Sequence, residues 1–194
     1  MGASLAGLPD VAYHRQALDA DVADGALEAL LAETPWRQDQ ALIFGRRVAL
    51  PRLTAWYGDA GAAYSYSGIS MHPTPWTPLL ARLKTAAEAL AGVAFNSALL
   101  NCYRDGRDSV GWHADAEPEL GRNPVIASLS LGATRRFEFR RRPPAAPDAR
   151  SIELEHGSCL VMAGAVQHQW HHRLPRAARV ERPRVNLTFR RIVR

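Results

Sequence analysis

The sequence predicts an α+β fold, mainly β with flanking helices, in which a small β-sandwich or jelly roll has two N-terminal helices packed on one sheet. Many short stretches are apolar or alternate apolar with polar residues, and turn-forming Gly, Pro and Asp residues separate them. Such a pattern is typical of antiparallel sandwiches and barrels rather than of βαβ units. Two stretches have the spacing of amphipathic helices, and both lie before most of the predicted strands.

The elements are predicted from local patterns along the chain. The first helix is predicted over residues 21–33, where apolar residues recur at helical spacing and acidic residues stand near the start. The second is predicted over residues 76–91 and ends at Gly92, since glycine often ends helices. Strands are predicted over residues 95–104, 125–131, 136–141, 151–155, 158–163 and 184–193. Residues 141–150 (RRPPAAPDAR) predict an exposed hairpin loop.

The length and composition of the chain predict a single domain. Its 194 residues, 47% of them hydrophobic, are enough for one sizeable core. No apolar run approaches the about 20 residues that cross a membrane, and the N-terminus lacks the features of a signal peptide. We therefore expect a cytoplasmic monomer with no membrane partner. Cys102 and Cys159 lack C-x-x-C spacing, so buried free thiols are expected.

The charge of the chain is strongly biased towards arginine. The net charge of +5 arises from 23 Arg and one Lys against 19 acidic residues. The arginines cluster at Arg46, Arg47 and Arg52, over residues 135–142 and over residues 173–194. Such clusters suit the phosphate backbone of a nucleic acid. Scattered solubilising charge is the alternative interpretation.

A His-x-Asp motif predicts a metal site. His113 and Asp115 are separated by one residue, and an extended backbone points both side chains in the same direction. The third ligand must come from elsewhere in the chain, and the candidates are His168, His171 and His172. Two imidazoles and one carboxylate form the facial triad that leaves coordination positions open on Fe(II). Zinc hydrolases also combine two histidines with one carboxylate, so zinc is the alternative.

The heptapeptide of residues 184–190 predicts a bound anion. It has the alternation of a β-strand, and one face carries the polar side chains of Arg184, Asn186, Thr188 and Arg190. Arginine can bind a carboxylate through two parallel hydrogen bonds, whereas a solvated face of an edge strand is the alternative. Together with an open iron site, the two arginines suggest an acid that chelates the metal and is anchored at its far carboxylate.

Asn101 and Tyr103 are predicted to assist that anchor. They lie two residues apart on a predicted strand, so their side chains share a face. Both can donate hydrogen bonds to an acid. A satisfied polar pair beneath the sheet is the alternative.

These residues resemble the AlkB family of Fe(II)- and 2-oxoglutarate-dependent dioxygenases, from about Ala41 to Val193. The resemblance is closest to the branch that repairs alkylated double-stranded DNA, and it implies a double-stranded β-helix with the site inside. The stretches that carry it are FGRR (44–47), PRLTAWYGDAGAAYSYSG (51–68), NCYRDGRDSVGWHADAEPEL (101–120), IASLSLGATRRFEFR (126–140), HGSCLVM (156–162), and HHRLP followed by PRVNLTFRRI.

The resemblance implies an iron site, with 2-oxoglutarate as co-substrate and O2 as oxidant. The catalytic, iron-binding residues would be His113, Asp115 and His172. It selects His172 because this residue stands in an H-x-L-P context, 12 residues before Arg184. The residues that would contact 2-oxoglutarate are Asn101, Tyr103, Arg184, Thr188 and Arg190, with Asn186 supporting that strand face.

For the substrate, the resemblance implies lid aromatics that flank a methylated base and an apolar finger that fills the gap left in the duplex. The matching residues are Tyr64 and Tyr66 in the lid, Phe44 with Gly45 and Arg46 in the finger, and Ser67 and Glu117 at other substrate-contacting positions. A base must leave its stack before chemistry reaches it, and stacking on aromatics offsets part of that cost. Ala116 departs from close members of the family, which carry an acidic residue there, so we expect a different base preference.

The function that the resemblance implies is oxidative demethylation of N-alkylated bases, namely 1-methyladenine and 3-methylcytosine, in duplex and single-stranded DNA. The products would be formaldehyde, succinate, CO2 and the restored base. Alternatives are the same chemistry on RNA or protein, and a catalytically silent DNA-binding module. We expect one domain over residues 1–194, divided into a helical extension (1–40), a nucleotide-recognition lid (41–75) and a jelly-roll core (95–194).

Overall fold

The computed structural model of the protein describes residues 2–5, 7–43, 45–62, 64–66, 69–71, 73–143 and 148–193. In chain order its elements are β1 (Ala3–Leu5), β2 (Leu8–His14), α1 (Ala20–Glu33), β3 (Gln40–Ile43), β4 (Arg46–Ala49), β5 (Leu53–Gly58), β6 (Tyr64–Tyr66), β7 (Ile69–Met71), α2 (Pro78–Ala91), β8 (Ser97–Tyr103), β9 (Val110–His113), a 3-10 helix (Pro118–Leu120), β10 (Ile126–Gly132), β11 (Arg135–Arg141), β12 (Ala149–Leu154), β13 (Ser158–Met162), α3 (Val166–Gln169), β14 (Trp170–Leu174) and β15 (Arg184–Arg190).

Two antiparallel sheets form the body of the fold. The larger has seven strands in the order β1-β2-β13-β10-β15-β8-β5, and the smaller has four in the order β12-β11-β14-β9. Their inner faces share an apolar cluster that includes Tyr103 and Met162 of the larger sheet with Phe139 and Leu174 of the smaller. Two-stranded ribbons, β3-β4 and β6-β7, lie outside these sheets. The predicted mainly β architecture is confirmed.

The helices α1 and α2 cover the outer face of the seven-stranded sheet. Apolar residues of both helices, among them Leu30 and Leu83, form one buried cluster with Leu187 and Phe189 of β15. Burial of a Leu or Phe side chain contributes roughly 1.5–3 kcal/mol, so this contact orients the sheet's opposite, polar face towards the smaller sheet. The second helix begins at Pro78, behind an N-cap at Thr77, two residues later than predicted.

Five strands of the two sheets were not predicted from the sequence, namely β1, β2, β5, β9 and β14. In particular, β2 lies within the range predicted as a helical extension, and β5 within the range predicted as a lid. β2 pairs with β13, and β5 pairs with β8. Both strands therefore depend on partners distant in sequence, which local alternation does not reveal.

Two further expectations concern membranes and thiols. Within the described ranges, no helix is long and apolar enough to cross a membrane. Cys102 and Cys159 are buried free thiols, as expected. Burial raises the pKa of Cys102 to about 11 and that of Cys159 to about 12.

Two loops on the same side of the fold are held together at Gly106. The Gly106 N–H donates to Val180 O at 2.7 Å, and the Ala177 N–H donates to Gly106 O at 2.8 Å. A Cβ at residue 106 would lie 1.8 Å from Ala177 O. This contact is closer than any side chain tolerates, so only glycine fits here without moving the loop.

We therefore expect Gly106→Ala to lower the free energy of unfolding by about 1–3 kcal/mol, because the added methyl group overpacks the loop contact. Gly111→Ala is the matched control, since no atom of the described residues lies within 4 Å of a Cβ built there. Urea unfolding monitored by circular dichroism measures both variants. Equal stability of the two variants would contradict the loop contact.

Candidate metal centre and co-substrate site

Three predicted metal ligands meet between the two sheets. His113 at the end of β9 is paired in register with His172 on β14, and Asp115 follows His113 by two residues. One ligand atom from each residue lies within 4.8 Å of the others. Asp115 and His172 are buried, and His113 is partly exposed. The antiparallel pairing of β9 with β14 thus brings together residues far apart in the sequence.

The two imidazoles have nitrogen lone pairs suited to a metal ion. The Nδ1 of His113 lies 2.8 Å from Gly111 O and donates to it, which leaves Nε2 as the acceptor nitrogen. His172 packs against Phe137, with ring centroids 5.2 Å apart. Burial, together with the neighbouring His113, lowers the pKa of His172 to about 3. His172 is therefore neutral at physiological pH, which is the form that binds metals.

Asp115 supplies the anionic ligand. Burial opposes ionisation of Asp115, but Arg190, His172, His113 and Arg52 together outweigh it and hold the pKa of this carboxyl group below its ordinary value. The Arg190 guanidinium donates to Asp115 Oδ1 at 2.6 Å, while Asp115 Oδ2 lies 3.7 Å from His172 Nε2. Two imidazoles beside an ionised carboxylate fit a divalent iron ion with open coordination positions.

The other two histidine candidates lie elsewhere. On β14, His171 points to the opposite side of the strand from His172 and is paired in register with Arg140. The ring of His168 contacts the carbonyl oxygen of Arg122. Among the described residues, only His172 completes a cluster with His113 and Asp115.

Gln167 positions Asp115, and sequence reasoning did not identify it. The side chain is fully buried. Its Oε1 accepts the Asp115 N–H at 3.0 Å, and its Nε2 donates to Met162 Sδ at 3.6 Å. These contacts join α3 to the segment that carries Asp115. Nothing in the spacing of Gln167 marks this role, since the contact crosses 52 residues of sequence.

The polar face of β15 is buried in the centre of the larger sheet. β15 lies between β10 and β8, and every residue from Arg184 to Arg190 is buried. The alternative of a solvated face on an edge strand is therefore wrong. Along this face Arg184 is opposite Tyr103, and Asn186 is opposite Asn101.

The two arginines of β15 have different partners, although one shared anion was predicted for them. Arg190 pairs with Asp115, as described above. Arg184 donates to Ser130 Oγ at 2.9 Å, and within the described ranges it has no acidic partner in an ion pair. Burial lowers the pKa of Arg184 to about 10, so it still carries its charge at neutral pH. Arg184 is thus a buried cation that forms no ion pair with an acid among the described residues.

The side-chain amides of Asn186 and Asn101 have different roles: the first holds the strand face together, and the second can donate to a ligand. Asn186 Nδ2 donates to Ser128 Oγ at 2.8 Å, and Asn186 Oδ1 accepts from Thr188 Oγ1 at 2.9 Å. Both residues therefore hold the strand face together. Asn101 Oδ1 accepts from Arg52 Nε at 2.9 Å, which leaves its NH2 group to donate into the cavity. Arg52, predicted only as part of a charge cluster, is thus a residue of the site.

One cavity connects these groups. Its walls carry the metal-ligand cluster together with Asn186, Thr188 and Arg190 of the polar strand face. Arg184 is not among the lining residues, but its guanidinium group lies over the ring of Tyr103, which is one of them. The cavity is lined by Arg52, Leu99, Asn101, Tyr103, Val110, His113, Asp115, Ser128, Phe137, Met162, His172, Asn186, Thr188 and Arg190. A small polar co-substrate with an apolar middle suits such a lining.

The predicted substrate residues lie on the two ribbons and beside the 3-10 helix. Gly45 and Arg46 are exposed at and after the turn of the β3-β4 ribbon. Tyr64 and Tyr66 belong to β6, but their side chains, like all of Phe44 and Ser67, lie outside the described residues. Glu117 precedes the 3-10 helix, and its Oε2 is buried without a hydrogen-bond partner in the part of the chain described.

Comparison with known proteins decides the family. A sequence model of the "2OG-Fe(II) oxygenase superfamily" matches residues 10–190. The chain belongs to this superfamily. Human "Alpha-ketoglutarate-dependent dioxygenase alkB homolog 3" is 45% identical to this chain, over 96% of this chain and 67% of the human protein. Mouse "DNA oxidative demethylase ALKBH2" is 43% identical over 78% of the chain and 66% of the mouse protein.

A solved structure shows the same fold. "The structure of OsALKBH1" aligns with a TM-score of 0.63 and 18% identity over 94% of this chain and 98% of that one. The predicted double-stranded β-helix of the AlkB family is thus confirmed, and the protein is a 2-oxoglutarate-dependent dioxygenase of that family. Its cofactors are Fe(II), 2-oxoglutarate and O2. The chain spans about two thirds of the length of its curated AlkB relatives.

Gln167→Leu should weaken Mn(II) binding by about 10–100-fold, because Asp115 would lose the acceptor that fixes its backbone. Gln169→Leu is the matched control, since Gln169 is exposed at the other end of the same helix. Anaerobic titration calorimetry with Mn(II) measures both affinities, and circular dichroism verifies folding. Equal Mn(II) affinities in the two variants would show that Gln167 does not position the ligand.

Proposed function

We propose that this protein is an oxidative demethylase that repairs N-alkylated bases, 1-methyladenine and 3-methylcytosine, in DNA. The observation that carries the proposal is Glu117, whose Oε2 is buried without a partner among the described residues, only two positions after Asp115. A base methylated at these ring nitrogens is a cation. A buried carboxylate oxygen without a described donor, two residues along the chain from a metal ligand, suits such a cation.

The residues of the site have separate roles in this reaction. His113, Asp115 and His172 would hold Fe(II). When bound, the iron supplies the chemistry by which one atom of O2 enters succinate, as 2-oxoglutarate loses CO2, and the other hydroxylates the N-methyl group. Arg184 would bind the distal carboxylate of 2-oxoglutarate, and the NH2 group of Asn101 would donate to the same acid.

The substrate completes the reaction after hydroxylation. The N-hydroxymethyl group breaks its carbon–nitrogen bond, leaves as formaldehyde, and returns the electron pair to the ring nitrogen while the hydroxyl proton departs. The base becomes neutral, so its attraction to Glu117 decreases. Loss of charge therefore favours release of the repaired base over the damaged one.

The β3-β4 ribbon supports a nucleic acid as substrate. All of β4 is exposed, including Arg46 and Arg47. Leu42 is 72% exposed and Val48 is 43% exposed, which is unusual for apolar side chains. Cations bind phosphates, and apolar groups can replace a base in the stack while it is flipped out. Phe44, the predicted finger, is the residue between β3 and Gly45.

The relatives support DNA rather than protein as the substrate class. Proteins named "DNA oxidative demethylase ALKBH2" from mouse and from cattle are 43% and 41% identical to this chain over 78% of its length. We extend that activity to this chain as part of the proposal. RNA and protein remain outcomes that the experiment below separates.

Purified protein with Fe(II) and 2-oxoglutarate should release one formaldehyde and one succinate per repaired base from DNA containing 1-methyladenine. The assay compares single-stranded DNA, duplex DNA, RNA and a methylated peptide of matched concentration. Formaldehyde released from RNA or peptide alone would contradict the proposed substrate. Succinate without formaldehyde from any of them would contradict demethylation.

Glu117→Gln should reduce the preference for 1-methyladenine DNA over unmodified DNA by about tenfold, because an amide lacks the charge that attracts the cationic base. Glu119→Gln is the matched control and removes a carboxylate two residues away. Fluorescence anisotropy of labelled oligonucleotides gives the ratio of the two affinities. An unchanged ratio in Glu117→Gln would remove the proposed role of this carboxylate.

A further inference from the structure

Two buried arginines lie beside one tyrosine at the end of the site away from the metal ligands. Arg135 begins β11 and is 1% exposed, and Arg184 begins β15 and is 2% exposed. The guanidinium carbon of Arg135 lies 5.8 Å from the centroid of the Tyr103 ring, and that of Arg184 lies 5.4 Å from it. Tyr103 also lines the cavity that contains the metal-ligand cluster.

Arg135 has polar partners but no ion-pair partner among the described residues. It donates to the backbone oxygens of Asp105 at 3.2 Å, Asp108 at 2.9 Å and Pro175 at 2.7 Å. The carboxylates of these two aspartates are bound by other arginines, Arg104 and Arg107. Among the described residues, no acidic side chain forms an ion pair with Arg135. Its positive charge is therefore buried without a direct ion pair among the described residues, although the nearby carboxylates of Asp105 and Asp108 favour it electrostatically.

An unused donor accompanies each of these charges. The Nε atoms of Arg135 and Arg184 are buried, and neither has an acceptor in the described part of the chain. Burial lowers the pKa of both arginines, and Arg135 contributes to the lowering at Arg184. Burying two like charges without an anion is unfavourable, and removing one partner of a buried pair typically costs several kcal/mol. A bound anion would relieve both charges.

We propose that Arg135 is a second cation for the tail of 2-oxoglutarate, acting with Arg184 across Tyr103 to attract and position the distal carboxylate. Arg184 is the direct partner, and Arg135 is a positioning residue. Its charge raises the positive potential at the tail site, while its three hydrogen bonds fix the two loops that follow β8 and β14. The ligand class is a 2-oxo acid with a second carboxylate.

Arg135 also contributes to the close contact between the loop after β8 and the loop after β14. Asp105 and Asp108 belong to the loop between β8 and β9, and Pro175 begins the loop between β14 and β15. The contact at Gly106 holds the same two loops together. Arg135 thus binds both loops from inside the fold, where its charge is shielded from water. Low dielectric strengthens its effect on an anion at the tail site.

Arg135→Met tests the proposal, with Arg135→Lys as the variant that keeps the charge. Arg136→Met is the matched control, because it removes a positive charge from the neighbouring position on the outer side of β11, where the side chain is 58% exposed. Calorimetry measures binding of two acids to each protein loaded with Mn(II) under anaerobic conditions. The acids are 2-oxoglutarate and 2-oxobutyrate, which has the same 2-oxo acid head but no distal carboxylate.

The expected result is a selective loss. Arg135→Met should bind 2-oxoglutarate at least about tenfold more weakly and 2-oxobutyrate with nearly wild-type affinity, while Arg135→Lys keeps most of the 2-oxoglutarate affinity. An equal loss for both acids would show a purely structural role and overturn the proposal. Affinity for 2-oxoglutarate equal to that of Arg136→Met would overturn it as well.

A measurement on the wild-type protein covers the case in which Arg135→Met does not fold. The protein is loaded with diamagnetic Zn(II), and the arginine Nε–H groups are observed by nuclear magnetic resonance. The signals of Arg135 and Arg184 should shift when 2-oxoglutarate is added and should not shift when 2-oxobutyrate is added. A shift of Arg184 alone would overturn the role of Arg135. The inference rests on the family's co-substrate, and these measurements contain no nucleic acid. A negative result here would therefore leave the proposed DNA substrate untouched, and a wrong DNA substrate would leave this inference untouched.

Discussion

The buried ion pair between Arg190 and Asp115 is the interaction on which the site depends. It joins β15 of the larger sheet to the segment after β9 of the smaller sheet, at 2.6 Å and with both side chains 3% exposed. A buried pair of this kind adds little net stability, because desolvation offsets most of the attraction. Its effect is on position and charge. It helps to keep Asp115 ionised and fixed beside His113 and His172, so the anionic ligand is in place before a metal ion binds.

The two ends of the cavity have different electrostatics. At the metal end, the charge of Arg190 is already balanced by Asp115, so a bound metal ion adds new positive charge there. At the other end, Arg184 and Arg135 are buried beside Tyr103, and in the described part of the chain neither forms an ion pair with an acid. A diacid with one carboxylate at each end matches this separation, and it can enter in only one orientation if its 2-oxo group must reach the metal. Asn101, held by Arg52, lies between the two ends.

Local patterns predicted the parts of this site that are short in sequence. The alternation of β15 correctly placed four polar residues on one face, and His113 with Asp115 was visible as a motif. Sequence could not show that β15 is central rather than at an edge, because its neighbours β10 and β8 are about 50 and 80 residues away in the chain. Local patterns could not predict the roles of Gln167, Arg52 and Arg135 either, because each role arises from a contact between segments that are distant in the sequence.

The most direct test of this account is a crystal structure with Mn(II) and 2-oxoglutarate, grown without O2, in which anomalous scattering locates the metal. The account predicts one metal peak bonded to His113, Asp115 and His172, with the distal carboxylate of the acid on Arg184. A metal peak elsewhere, or an acid bound with its tail away from Arg184, would contradict it.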